Sequence, residues 1–137
     1  MNPSRRPASP FESLLARLAA PAWYWRVALG VAVLTVLYFA LTPTPPSDMS
    51  TGWDKLNHAL AFAALALAAC FSAPMSPRRF VAVLVLLLGF GGAIELLQLR
   101  VPGRDAEWAD LLADGVGLVG GMLTALLLRA RAAMARR

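Results

Sequence analysis

The sequence predicts an all-α integral membrane bundle of four transmembrane helices, with both ends of the chain on the cytoplasmic side. Three observations predict it. The 137 residues are 58% hydrophobic and only 15% charged, with a mean hydropathy of +0.60, whereas soluble domains are roughly 45–50% apolar. Four apolar stretches reach the roughly 20 residues that a helix needs to cross a bilayer core. The charged residues gather at the ends of those stretches and do not spread along amphipathic faces.

The elements follow in order. Residues 1–22 read as a cytoplasmic tail in which Ser9-Pro10, followed by Phe11, Leu14, Leu15 and Leu18, predicts a short amphipathic helix at the interface. The transmembrane domain covers 23–128, with spans at about 23–42, 54–73, 80–99 and 110–128, and 129–137 form a basic cytoplasmic tail. Trp23, Tyr24 and Trp25 mark an aromatic belt at the inner surface. Pro43, Pro45 and Pro46, then Pro74 and Pro77, then Pro102-Gly103 punctuate the gaps. Arg5-Arg6 ahead of an apolar run invites comparison with an export signal. The stretch before that run is too long for an ordinary signal, however, and no small-x-small cleavage site follows, so the first helix is expected to be uncleaved.

Direction comes from the basic residues. Arg5, Arg6, Arg17, Arg26, Arg78, Arg79, Arg129, Arg131, Arg136 and Arg137 fall on one side, and Lys55, Arg100 and Arg104 on the other. Positive charge stays inside, so both termini and the Arg78-Arg79 turn are expected in the cytoplasm. A formal charge of +5 invites comparison with nucleic-acid binders, but the basic residues sit beside membrane-length segments and not along one polar face, so no nucleic-acid partner is expected. The preference for arginine over lysine points to a GC-rich bacterial genome, and hence to the bacterial cytoplasmic membrane. Cys70, the sole cysteine, allows no disulfide and reads as a small apolar residue.

Polar residues within spans are costly and often mark function. In DKLNHALAF, Asp54, Lys55 and His58 share one helical face, because residues three and four apart do so. Glu95 and Gln98 repeat the three-residue spacing, and Asp110 and Asp114 the four-residue one. The second helix starts on the outer side, the third ends there and the fourth starts there. The topology therefore brings Asp54, Lys55, His58, Glu95, Gln98, Asp110 and Asp114 to one depth, with Arg104 on the adjoining turn. Asp54 and Asp110 read equally well as helix caps. Gly117 and Gly121 form a GxxxG pair that suits close packing of the fourth helix inward, or a homodimer interface.

At this point the runs DKLNHALAFAALAL and AIELLQLRVPGRDAEWADLLADGVGLVGG resemble the VanZ-like proteins. The resemblance is carried by Asp54, Lys55, His58, Glu95, Gln98, Pro102, Arg104, Asp110, Gly117 and Gly121, and covers roughly Asp54 to Gly121. It implies a small multi-helix membrane protein, some relatives of which are associated with reduced susceptibility to teicoplanin-type antibiotics. One departure is Asp114, where asparagine is expected in the family; it adds a negative charge to the site.

The function expected is binding or remodelling of an envelope lipid or lipid-linked precursor in an outward-facing polar pocket. In that reading Arg104 and Lys55 hold an anion, while Glu95, Asp114 and Gln98 meet hydroxyls, amines or water. A second class is a membrane enzyme acting on a lipid ester or phosphate, with His58 and Glu95 or Asp110 as acid–base groups. No nucleophile accompanies them, since Ser47, Ser50 and Thr51 lie on the first outer loop and Cys70 toward the other side. Lipid flipping and a purely structural polar cluster complete the alternatives. With one histidine and no HExxH-type pair, no metal is expected, and nothing calls for a cofactor.

Overall fold

The computed structural model describes residues 20–43, 54–104 and 106–134. The amphipathic segment expected before Ala20 and the serines of the first loop lie outside them. Four helices make up the described fold: α1 (Ala22–Leu41), α2 (Asp54–Phe71), α3 (Pro77–Gln98) and α4 (Trp108–Met134). All four are long and apolar enough to cross a membrane. They alternate in direction, since α2 and α4 both start at the end where α1 and α3 finish.

Why each helix forms is largely local. In α3, Pro77 occupies the first turn, where a missing N–H costs nothing. Ser76 caps it, its hydroxyl accepting from the Arg79 amide at 3.2 Å. Alanine and leucine, both strong helix formers, fill α2 and α4. The last helix runs to Met134 and not to about 128, because Arg129-Ala130-Arg131-Ala132-Ala133 continues helical chemistry past the apolar stretch. After α3, the positive φ of 76° at Gly103 closes the short turn to α4, a conformation glycine adopts freely.

The most extensive contact joins the parallel pair α2 and α4. Its cause is the GxxxG pair. A Cβ placed on Gly117 would collide with the backbone carbonyl of Ala59, and one on Gly121 would collide with the Ala63 carbonyl and lie 2.9 Å from Ala66 Cβ. Only glycine lets the two backbones come this close, which is how helices gain contact in lipid without a hydrophobic drive. Of the two uses expected for these glycines, the fold shows inward packing: they face α2 of the same chain.

Around that seam, Phe62, Leu65, Ala66, Ala69 and Cys70 of α2 pack with Leu118, Met122 and Ala125 of α4, and Val83 and Leu87 of α3 close the cluster. The spacings of three and four are those of one helical stripe. Helix α1 has no fully buried residue. It lays Leu29, Ala32, Val33 and Val36 on the core and turns Val27, Val31, Leu34 and Tyr38 outward. Exposed apolar rows also run along α3 (Val85, Leu86) and α4 (Leu112, Val116). In water such surfaces are a liability; in a bilayer they are the lipid-facing side.

Candidate ligand-binding site

At the end where α2 and α4 begin, the ionisable side chains of three helices meet. His58 stands one turn into α2, and its Nδ1 lies 2.9 Å from Asp114 Oδ1. Asp114 is 1% exposed, and its second oxygen rests against Gly91 of α3, where a Cβ would come within 2.6 Å. Glycine at 91 is therefore what makes room for the carboxylate. The other imidazole nitrogen, Nε2, is 3.8 Å from Asp110 Oδ2. Asp110 Oδ1 accepts from Lys55 Nζ at 3.1 Å, and Lys55 also donates to Glu107 Oε2 at 2.7 Å. That second contact holds the Glu107 carboxyl below the usual glutamate range.

Glu95 reaches in from α3. It is 8% exposed, and its Oε2 accepts the backbone N–H of Glu107 at 2.9 Å. Its Oε1 is buried and has no hydrogen-bond partner among the described residues. A buried oxygen of this kind carries a full desolvation cost unless something donates to it. Asp54 and His58 of α2 thus face Asp110 and Asp114 of α4. Asp110 is buried and faces His58 and Lys55 with its side chain, so it does more than start a helix.

Two expected anion-holding residues are otherwise engaged. Arg104 donates from Nε to Thr42 O at 3.2 Å and from Nη2 to Phe39 O at 2.7 Å. These carbonyls belong to the last turn of α1, which would otherwise lack partners, and a cation is favoured there. Gln98 turns the same way, donating from Nε2 to Ala40 O at 3.1 Å. Arg104 and Gln98 therefore fasten α1 to the turn between α3 and α4, beside the carboxylate cluster and not within it. Lys55 is matched to two carboxylates. The site is thus rich in acceptors, with its cation already paired.

Glu107 and Gly91 were not evident from the sequence as site residues. Glu107 lies three before Asp110, and that helical spacing is the signal that could have found it. Nothing in the sequence distinguishes Gly91 from neighbouring Gly92, beside which a Cβ would meet nothing within 4 Å.

Chemically, the His58–Asp114 pair fixes the imidazole, and Asp110 supplies a second carboxylate on its far side. Such a pair can bind donors or move a proton. Cys70 is buried near the opposite end of α2, far from any role as a nucleophile at His58. No protein-family model, curated protein or solved structure matches this chain.

Proposed function

We propose that this chain is a VanZ-like protein of the bacterial cytoplasmic membrane that binds the headgroup of an envelope lipid or lipid-linked precursor from the outer side. The single observation that carries the reading is the cluster of half-buried His58 with buried Glu95, Asp110 and Asp114, drawn from three helices, with one carboxylate oxygen unpartnered. Intramembrane ionisable groups at a helix junction are costly and serve function by default. Positive charge concentrated at the opposite end of the bundle supports an outer-side position for the cluster. Because the cluster offers acceptors, the headgroup groups it suits are hydroxyls and amines, whereas Arg104, expected to hold a phosphate, donates from Nε and Nη2 to the carbonyls at the end of α1.

The experiment is thermal melting of the purified protein in detergent with phosphatidylethanolamine, phosphatidylglycerol, cardiolipin or a polyprenyl-phosphate-linked sugar. A lipid that binds only the folded state stabilises it by about 2.7 kcal/mol at a hundredfold excess over Kd. One headgroup class is expected to raise the melting temperature of wild type and to leave His58→Ala and Glu95→Gln unmoved. Arg104→Ala, which frees only the end of α1, is expected to melt earlier with every lipid yet keep the lipid response. Equal response of all variants would remove the reading.

A second reading, acid–base catalysis on a lipid ester or phosphate, is favoured by the 2.9 Å His58–Asp114 contact. Asp114 would orient the ring and leave Nε2 to take a proton from water or a substrate hydroxyl. It requires a changed mass for some envelope lipid in cells expressing wild type, absent with His58→Ala.

A further inference from the structure

The sequence carries no paired-ligand metal motif, yet the fold assembles the donors of one. An Asp54 oxygen, a His58 ring nitrogen and an Asp110 oxygen all lie within 4.8 Å of one another. Asp54 and His58 are one turn apart on α2, and Asp110 comes from the first turn of the parallel helix α4. The imidazole is held at Nδ1 by Asp114, which turns Nε2 toward Asp110 Oδ2 at 3.8 Å. That gap is too wide for a hydrogen bond. It is close to the roughly 3.4 Å between two donors that each stand about 2.1 Å from a tetrahedral cation. Lys55 takes the other oxygen of Asp110, so Oδ2 is left to face the histidine.

An independent observation points to the same place. Glu95, on α3, is more than nine-tenths buried, and its Oε1 finds no donor among the described residues. Its carboxylate interacts electrostatically with Asp110, His58 and Asp114. Asp54, Glu95, Glu107, Asp110 and Asp114 together outnumber Lys55 and His58, and negative charge at membrane depth demands a counter-charge.

We propose that Asp54, His58 Nε2 and Asp110 hold a divalent cation of the zinc class, with Asp114 as the positioning residue for the imidazole and Glu95 accepting from cation-bound water. A histidine backed by a carboxylate is the usual outer support of a metal-ligating ring. The mixture of one imidazole nitrogen with carboxylate oxygens favours zinc over magnesium, which prefers oxygen alone. The cation lies within the pocket assigned to the lipid headgroup, but it is held by the protein's own donors and needs no lipid.

The test uses the full chain, stripped with EDTA, freed of any affinity tag and kept in lipid-free detergent. Zn²⁺ and Mg²⁺ are titrated separately by calorimetry. One Zn²⁺ per chain is expected, with Mg²⁺ at least tenfold weaker. His58→Ala and Asp110→Asn should weaken Zn²⁺ at least tenfold, and Asp114→Asn by about 10–100-fold, the usual loss for an outer support. Asp54→Asn, on the exposed start of α2, should keep the melting temperature of the metal-free protein and still lose Zn²⁺ affinity. Leu112→Ala, on the lipid-facing side of α4, should bind as wild type does. Absence of stoichiometric Zn²⁺ binding, or equal binding by Asp54→Asn and wild type, overturns the proposal. If Zn²⁺ fails while the lipid-dependent melting holds, the cation alone is lost; if Zn²⁺ binds and no lipid discriminates, the headgroup reading falls instead.

Discussion

The two ends of the bundle use charge in opposite ways. At the basic end, arginines from three helices converge on the last carbonyls of α2. Arg26 donates to Ser72 O at 3.1 Å, Arg79 to Ala69 O at 3.2 Å and Ser72 Oγ at 2.8 Å, and Arg129 to Cys70 O at 2.6 Å and Ala73 O at 3.1 Å. Arg129 also lies 5.1 Å from the Phe71 ring centre, and Trp25 stacks on the same ring at 5.0 Å. These side chains satisfy backbone groups that a helix end leaves orphaned, and they complement its dipole. At the acidic end, side chain meets side chain, negative charge is in surplus, and the buried oxygens Glu95 Oε1 and Gln98 Oε1 have no partner among the described residues. The basic end also leaves Trp25 Nε1, Arg79 Nε and Arg129 Nε without a partner among the described residues, but its cations are engaged with backbone carbonyls and so hold α2 in place. The acidic end instead gathers more carboxylates than fastening its helices requires, and that surplus of acceptors is what the proposed binding reading uses.

Both ends depend on the α2–α4 seam, so the largest effect comes from breaking it. Gly117→Val drives a branched side chain into the Ala59 carbonyl. Overpacking usually costs about 1–3 kcal/mol, and collision with backbone belongs at the top of that range. Loss of monodisperse protein in detergent is the expected outcome. A Gly117→Val chain that melts like wild type would mean that α2 and α4 are not held by this contact.

A paired measurement comes next in size. Arg129→Met keeps the apolar stem but strips the donors from Cys70 O and Ala73 O, and unsatisfied buried acceptors cost about 1–3 kcal/mol. Asp110→Asn keeps shape and removes one negative charge from the surplus. The expected result is a lower melting temperature for Arg129→Met with ligand response intact. Asp110→Asn should cost less stability and abolish the response, as functional groups often oppose stability. The reverse pattern would make the acidic end a structural clamp and the basic end the place to look.

The fold was legible because bilayer thickness and the period of a helix both act locally along the chain. The first span was expected at about 23–42 and observed at Ala22–Leu41, and the third at about 80–99 and observed at Pro77–Gln98. The shared face of Asp54 and His58, and that of Asp110 and Asp114, follow from spacing in the same way. The bonds of Arg104 to α1 are not legible in the same way, because Phe39 and Thr42 are more than sixty residues away and no spacing rule reveals which carbonyls a turn will approach. The arginines of the basic end were visible only as a count on one side of the membrane. Their bonds to α2 depend on three helices ending at one level, which is a property of packing.

The smallest expected effect concerns Glu107, an exposed member of the acidic end. Lys55 holds its carboxyl below the ordinary glutamate range. A group depressed in the folded state contributes stability above its unfolded pKa, and loses it as pH falls through the folded value. The pair is half exposed, with side chains 51% and 53% accessible, and such pairs contribute little because solvent screens them. Melts of wild type and Glu107→Gln should therefore differ slightly at neutral pH, and the difference should persist through the ordinary glutamate range and close only below it. Raising the salt should shrink the difference as well. A large, salt-insensitive difference would place Glu107 inside the buried cluster beside Glu95, and the boundary between the clamp at the surface and the site beneath it would have to move outward.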